Sequence, residues 1–467
     1  MNNVKKIAKI SLIYLIGQLG SKFISLIMLP IYTNYISPQA YGDFDVVSAF
    51  SSVIIPFFCL EVWSGMLRFA LTTNETNEKR KIVNNSMVIC GAGTIAILLI
   101  LISLGAFNKL DNFIYVLVYF LTTILMNMTT ISCRAFQENK LYAISGMVSV
   151  FTNAIASIIC IFGFKLGIQT LYIAAIVSNL SQILLVEFRL KLLTGFKLRS
   201  FDWKIAKPLI KYCWPLSINT VFYFLLTNVN RVIISYSLPN ADYANGIYAV
   251  ANKLTVLITL LLSVFFMAWQ ETNYGEKDIQ KRHAQCKAAY DIFIKIIGMG
   301  IIILLPVTKF LFPYLIGESY SDAYNLIPFF YLAMYFQAIN NFTASFFSIE
   351  NKTDKLIVSK IIGSVVNVGV IFALIYVIGL VASPIALLVS QIAVVLIQYF
   401  QYRKFINVGL GVKKILFVTL VFVLTSVVYF TCSLLVNIIV AVILTALAAF
   451  TCKNELKQIV VKFIKKD

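Results

Sequence analysis

Fourteen stretches of the chain are long and apolar enough to cross a bilayer: 7–36, 44–71, 82–105, 113–134, 141–163, 168–190, 208–238, 243–268, 288–308, 323–348, 356–378, 383–402, 415–432 and 434–452. One crossing takes about 20 residues of helix. Inside hydrocarbon no water satisfies a peptide group, so the backbone must bond to itself, and runs of this length do so as helices. The sequence therefore predicts an all-α polytopic membrane protein with 14 transmembrane helices. Sixty per cent of the 467 residues are hydrophobic and 13% are charged, against about 25% charged in soluble domains. A soluble enzyme is excluded. The longest links are 190–207 and 269–287, which leaves no room for a domain outside the bilayer. Function must be carried by the helices.

The formal charge is +19, with 39 Lys and Arg against 20 Asp and Glu. Their placement argues against nucleic acid, because they gather in short clusters between apolar runs, such as Lys79-Arg80-Lys81 and Lys413-Lys414. An even number of spans puts both termini on one side. With that side cytoplasmic, 32 Lys and Arg lie inside, three (Lys109, Lys165, Lys309) outside and four (Lys22, Arg68, Arg231, Lys253) within spans, a strong positive-inside bias. The basic stretch Met1–Lys9 resembles a signal peptide, but the apolar run after it continues to Ile36 with no small-residue cleavage site, so it is expected to stay as the first span. Cys59, Cys90, Cys133, Cys160, Cys213, Cys286, Cys432 and Cys452 show no CxxC spacing. They are expected to be reduced packing residues, with no metal site and no disulfide.

Three short resemblances recur in order. Tyr41-Gly42 with Val46 and Val47 matches Asn245-Gly246 with Val250, Glu138-Asn139-Lys140 matches Glu350-Asn351-Lys352, and Ser181-Gln182-Ile183 matches Ser390-Gln391-Ile392. Together they predict two six-helix lobes, 1–200 and 205–403, related by a pseudo-twofold along the membrane normal. Residues 411–467 add two further helices and a basic tail, the pair 415–452 lying outside the lobes or forming a lipid-accessible groove. Two lobes around a central cleft are a transporter plan, with substrate near the midplane and alternating access.

A charge within a span is costly and needs a partner or a watery cavity. Gln18, Lys22 and Ser25 share one face of the first span, and Lys22 is too deep to snorkel comfortably. Glu61, Ser64, Gly65 and Arg68 are expected to share a face beyond a kink at Pro56. Glu61 is either a counter-ion for Lys22 or a protonation site; Arg68 is either a site residue or an interfacial anchor. The seventh span presents Asn219, Tyr223, Thr227 and Asn230 with Arg231, and the eighth presents Tyr248, Asn252, Thr255 and Thr259 with Lys253. Such amides, Gln337 included, also serve plain helix–helix bonding. With Lys22, Arg68, Arg231 and Lys253 against one deep Glu, the lining of the cleft is basic and attracts an anion.

The segment Leu29-Pro30-Ile31-Tyr32-Thr33-Asn34-Tyr35-Ile36-Ser37-Pro38-Gln39-Ala40-Tyr41-Gly42 resembles the end of the first helix and the following turn in polysaccharide-transporter flippases of the multidrug/oligosaccharidyl-lipid/polysaccharide exporter superfamily. Asn230-Arg231 and Gly246-Ile247-Tyr248, with Ala251 and Lys253-Leu254, are similar to that family's seventh and eighth helices. The resemblance implies flipping of an undecaprenyl-pyrophosphate-linked O-antigen or capsule repeat unit from the inner to the outer face of the bacterial plasma membrane. The chain departs from the family at Asn230, where Asp often precedes the Arg, and at Asn34, where Arg is common.

Two other readings compete. A cation-coupled multidrug exporter of the same fold needs acids in its lobes, and the first, seventh and eighth spans have no buried Asp or Glu; a lipid II flippase of the same fold is the other alternative. A membrane enzyme such as a polymerase or lipid-dependent glycosyltransferase would be expected to carry a large external loop with catalytic acids, and the only histidine, His283, lies in a cytoplasmic loop. The expectation is a monomeric, non-enzymatic transporter without resident cofactor, its ion coupling to Na⁺ or H⁺ open. Its partners are the lipid-linked glycan, membrane lipids and other glycan-assembly membrane proteins.

Overall fold

The computed structural model describes residues 20, 22–73, 75–106, 111–260, 262–263, 265, 279–350, 352 and 355–451. They form α1 (22–35), α2 (Pro38–Phe58), α3 (Val62–Ala70), α4 (Thr76–Ala106), α5 (Phe113–Ala135), α6 (Asn139–Ile158), α7 (Gln169–Leu190) and α8 (Trp203–Thr227). There follow α9 (Val229–Ser237), α10 (Ala241–Lys253), α11 (Ile279–Leu315), α12 (Ile327–Ile349), α13 (Leu356–Ile378), α14 (Ala382–Tyr402), α15 (Val412–Thr431) and α16 (Leu434–Thr451). No strand occurs among the described residues. Helices of 20–25 residues such as α7 and α8 rise about 1.5 Å per residue, matching a hydrocarbon layer of about 30 Å. Large apolar side chains left bare on them, such as Leu99, Ile114, Phe188 and Val377, form the surface a lipid would cover.

Among the described residues, helices fall where the apolar runs predict them, with two kinds of difference. Three runs are interrupted: 44–71 breaks between α2 and α3, 208–238 at Asn228, and 243–268 after Lys253, where Leu254 and Thr255 form a turn. The break expected at Pro56 comes later. Pro56 sits inside α2, which ends at Phe58, and the chain passes through left-handed Leu60 (φ 54°) and Glu61 (φ 46°) before α3 begins. By length and composition, nine helices among the described residues are long and apolar enough to cross a membrane. That is fewer than the fourteen runs: α13 and α14 count as one stretch, Leu356–Tyr402, the run 7–36 is described only in part, the run 243–268 is interrupted, and Gln337, Asn340 and Thr343 dilute α12.

The chain divides into two compact units, Met1–Phe224 and Leu225–Asp467. In the first, α7 packs on both α6 and α5, and α3 packs on α4 and α5. Its core holds Ile55, Cys59, Val62, Met66, Cys90, Phe120 and Tyr172. The turn from α1 to α2 is built by Ser37, whose hydroxyl accepts from the Ala40 N–H at 3.3 Å, and by Pro38 in the first helical turn, a sound helix start. Tyr32 of the same motif bonds Ser157 of α6 at 2.8 Å. In the second unit α14 packs on α13 and α12, the order in which α7 packs on α6 and α5. Aromatics fill its core: the rings of Phe293 and Phe342 lie 4.7 Å apart and those of Phe346 and Tyr402 5.1 Å apart. The added pair α15 and α16 packs against α11. Cys59, Cys90, Cys133, Cys160, Cys213 and Cys286 are free and buried and Cys432 is free and half-buried, as expected of packing residues; Cys452 lies outside the described residues.

Candidate functional site

The first unit places its membrane acid at the broken helix. Leu60 and Glu61 turn left-handed, and the Glu61 N–H reaches back to the Pro56 carbonyl at 2.7 Å. Two glycines let neighbours close on this break. A Cβ on Gly93 would stand 2.2 Å from the Phe58 carbonyl oxygen, and one on Gly65 2.3 Å from Cys213 Sγ. Because the backbone turns at Glu61, its carboxylate faces α8 as well as α3: Oε2 accepts from the Thr220 hydroxyl at 2.7 Å and Oε1 from the Ser64 hydroxyl at 3.0 Å. Thr220 is a partner the sequence did not single out. Only its place one residue after Asn219 hinted at it.

Arg68, at the end of α3, is exposed and lays its guanidinium 4.3 Å over the Tyr212 ring, in keeping with the anchor reading. Lys22 is partly buried on α1 and Asn219 on α8. Gln18 lies outside the described residues.

In the second unit Arg231 is 8% exposed. Its Nη1 donates to the Asn228 side-chain oxygen at 2.8 Å, and its guanidinium lies 5.2 Å from the centre of the buried Tyr248 ring. Asn228 is the residue at which the run breaks, so the interruption frees this amide to hold the cation. A guanidinium over a tyrosine face gains electrostatically and more so when water is excluded.

The stripe expected along the seventh span is corrected here. It presumes one continuous helix, and the break at Asn228 changes the phase: Tyr223 is 47% exposed while Asn230 is fully buried. Asn230 donates to the Ser383 carbonyl at 2.9 Å and accepts from the Asn367 amide at 2.9 Å, and Asn367 also reaches the Leu225 carbonyl at 3.0 Å. Asn230 is thus spent on packing and is not a ligand-facing residue. Asn367 could have been suspected from sequence as the only amide in the apolar run 356–378. Asn252 and Lys253, at the end of α10, are half-buried.

A third feature is a groove of about 1170 Å³ between α11, α15 and α16. Its walls are apolar, with Met299, Phe417, Val421 and Leu447, and its end carries Lys295, Lys413 and the pair Asp291–Lys414 at 2.7 Å.

The profile of the polysaccharide biosynthesis protein family matches residues 7–270, more than half of the chain. The chain belongs to that family. Among solved structures, an inward-facing multidrug resistance MATE family transporter of the MOP superfamily matches with a TM-score of 0.64 at 14% identity, covering 84% of this chain and 94% of that one. The lipid II flippase MurJ in its inward closed conformation matches with a TM-score of 0.64 at 16% identity, covering 95% and 100%. An outward-facing MATE transporter gives 0.58 at 15%, covering 86% and 96%. At such identities the likeness is one of fold, that of an all-helical, multi-pass membrane protein. The resemblance found in the Leu29–Gly42 and Asn230–Leu254 segments is borne out. A comparison with curated proteins finds no match.

Proposed function

We propose that the protein flips a polyprenyl-pyrophosphate-linked oligosaccharide, an O-antigen or capsule repeat unit, from the inner to the outer face of the bacterial plasma membrane by alternating access. Arg231 carries this reading. A guanidinium kept inside an apolar helix, 8% exposed, lies against an amide and an aromatic face, and its planar fork suits a diphosphate. Lys22 and Lys253 supply further positive charge along the route, with Asn219 and Asn252 as hydroxyl-binding amides, while Arg68 stays an anchor. The groove beside α15 and α16 fits the lipid chain. Both termini face the cytoplasm, and the lobes rock about a twofold along the membrane normal. Glu61, held by two hydroxyls, is the group that takes up a proton or re-pairs the cations as the substrate leaves.

Arg231→Ala is expected to abolish surface glycan in cells that depend on this protein while protein abundance and membrane insertion stay normal. Arg231→Lys restores only part, because a point charge replaces a fork. Full export by the alanine variant would remove Arg231 from the mechanism.

A further inference from the structure

The link from α7 to α8 is fastened at both ends. Glu187 turns its carboxylate onto the chain beyond α7: Oε2 accepts from the N–H groups of Leu192 and Leu193 at 2.8 Å each, and Oε1 from the Thr194 N–H at 2.8 Å and hydroxyl at 2.7 Å. On α4, Asn84 donates to the Lys197 carbonyl at 2.8 Å and to the Ser200 hydroxyl, and accepts from the Lys197 N–H at 3.3 Å. Its neighbour Asn85 accepts from the Asp202 N–H at 2.8 Å. Consecutive asparagines therefore fix the link against α4. Gly195 permits its tight course, since a Cβ there would lie 2.6 Å from the Lys191 carbonyl oxygen.

Between the link and α4 remains a cavity of about 350 Å³. Arg80, Lys81 and Lys197 line it, above an apolar floor of Val83, Met87 and Leu192. No carboxylate lines it, and Glu187 is already engaged with backbone. Arg80 donates to the Leu190 carbonyl at 3.2 Å; among the described residues none of the three cations forms an ion pair. The apolar part of α4 begins at Ile82 and α7 ends at Leu190. The hollow thus sits where both helices leave the apolar layer, at the depth of lipid phosphates. A positive-inside bias needs basic residues only somewhere on this side; it does not need a fixed, acid-free hollow with an apolar floor. That combination selects a phosphate attached to something apolar.

We infer that this cavity is a phosphate-binding site, separate from the transport route, whose ligand is the headgroup of an anionic lipid or a soluble phosphate. The inference does not depend on what the protein transports.

The test is native mass spectrometry of the full-length protein in detergent, titrated with phosphatidylglycerol, phosphatidylethanolamine or inorganic pyrophosphate. Wild type should hold one phosphatidylglycerol tightly. The triple variant R80Q/K81Q/K197Q should weaken that binding about tenfold or more, since charge-assisted contacts are lost. The control K204Q/K207Q/K211Q removes the same charge from exposed positions on α8 and should leave it intact. If the triple variant misfolds, Lys197→Gln alone should still weaken binding about threefold, a fraction of one charged contact. Displacement of the lipid by pyrophosphate would assign the site to a soluble phosphate, and its persistence to a lipid. Equal weakening in both triple variants, or no bound anion in wild type, would overturn the site.

Discussion

Each compact unit contains an interrupted helix, and the breaks at Glu61 and at Asn228 are finished in opposite ways. Between α2 and α3 the chain turns left-handed and places an acid there, with Glu61 held by the hydroxyls of Thr220 and Ser64 and only half-buried. At Asn228 the chain breaks beside neutral amides, and the Asn230–Asn367–Ser383 cluster is buried completely. Both interruptions give up helix hydrogen bonds that hydrocarbon does not replace. The first invests them in a group that can change charge; the second invests them in a rigid node beside a cation, Arg231. On the proposed function, the first interruption serves switching and the second holding.

This contrast is broken most sharply at the holding end. Asn367→Leu keeps the branched heavy-atom skeleton of the side chain but withdraws the donor from Asn230 and from the Leu225 carbonyl. An orphaned buried acceptor costs about 1–3 kcal/mol, so thermal unfolding of the purified protein should begin clearly lower, with export falling in parallel. Unchanged unfolding would show that the node is not structural.

The switching end should respond differently. Glu61→Gln keeps one acceptor oxygen for one of the two hydroxyls and offers an N–H donor to the other, which rotates to accept, so stability should move by about 0.5 kcal/mol or less, as for an average interhelical hydrogen bond in a membrane. In proteoliposomes the same variant should lose any acceleration by a proton gradient. A large loss of stability with unchanged gradient response would reassign Glu61 to the holding class.

Much of this was legible in the sequence, and what was missed has a common cause. Helix positions follow from apolar runs, because hydrocarbon imposes helices wherever such runs occur. Arg231, the buried cation on which the proposed function rests, stands out because few charges fall inside spans. Its neighbour Asn230 was misplaced because a periodic stripe assumes an unbroken helix, and the break at Asn228 leaves no proline or glycine to announce it. Pro56 misled in the opposite sense: it is accommodated within α2, and the turn comes at Leu60 and Glu61. Thr220, Asn367 and Ser383 became visible only through contacts between distant segments.

The most direct measurement is transport in liposomes with an imposed membrane potential. A pyrophosphate-linked lipid carries about two negative charges, and each is worth roughly 2.3 kcal/mol per 100 mV on crossing. If the chain flips such a lipid through a basic site, translocation of the lipid-linked sugar should quicken when the destination side is positive and slow when the potential is reversed. Translocation indifferent to the sign of the potential, together with selective transport of organic cations, would contradict the account and favour a multidrug exporter.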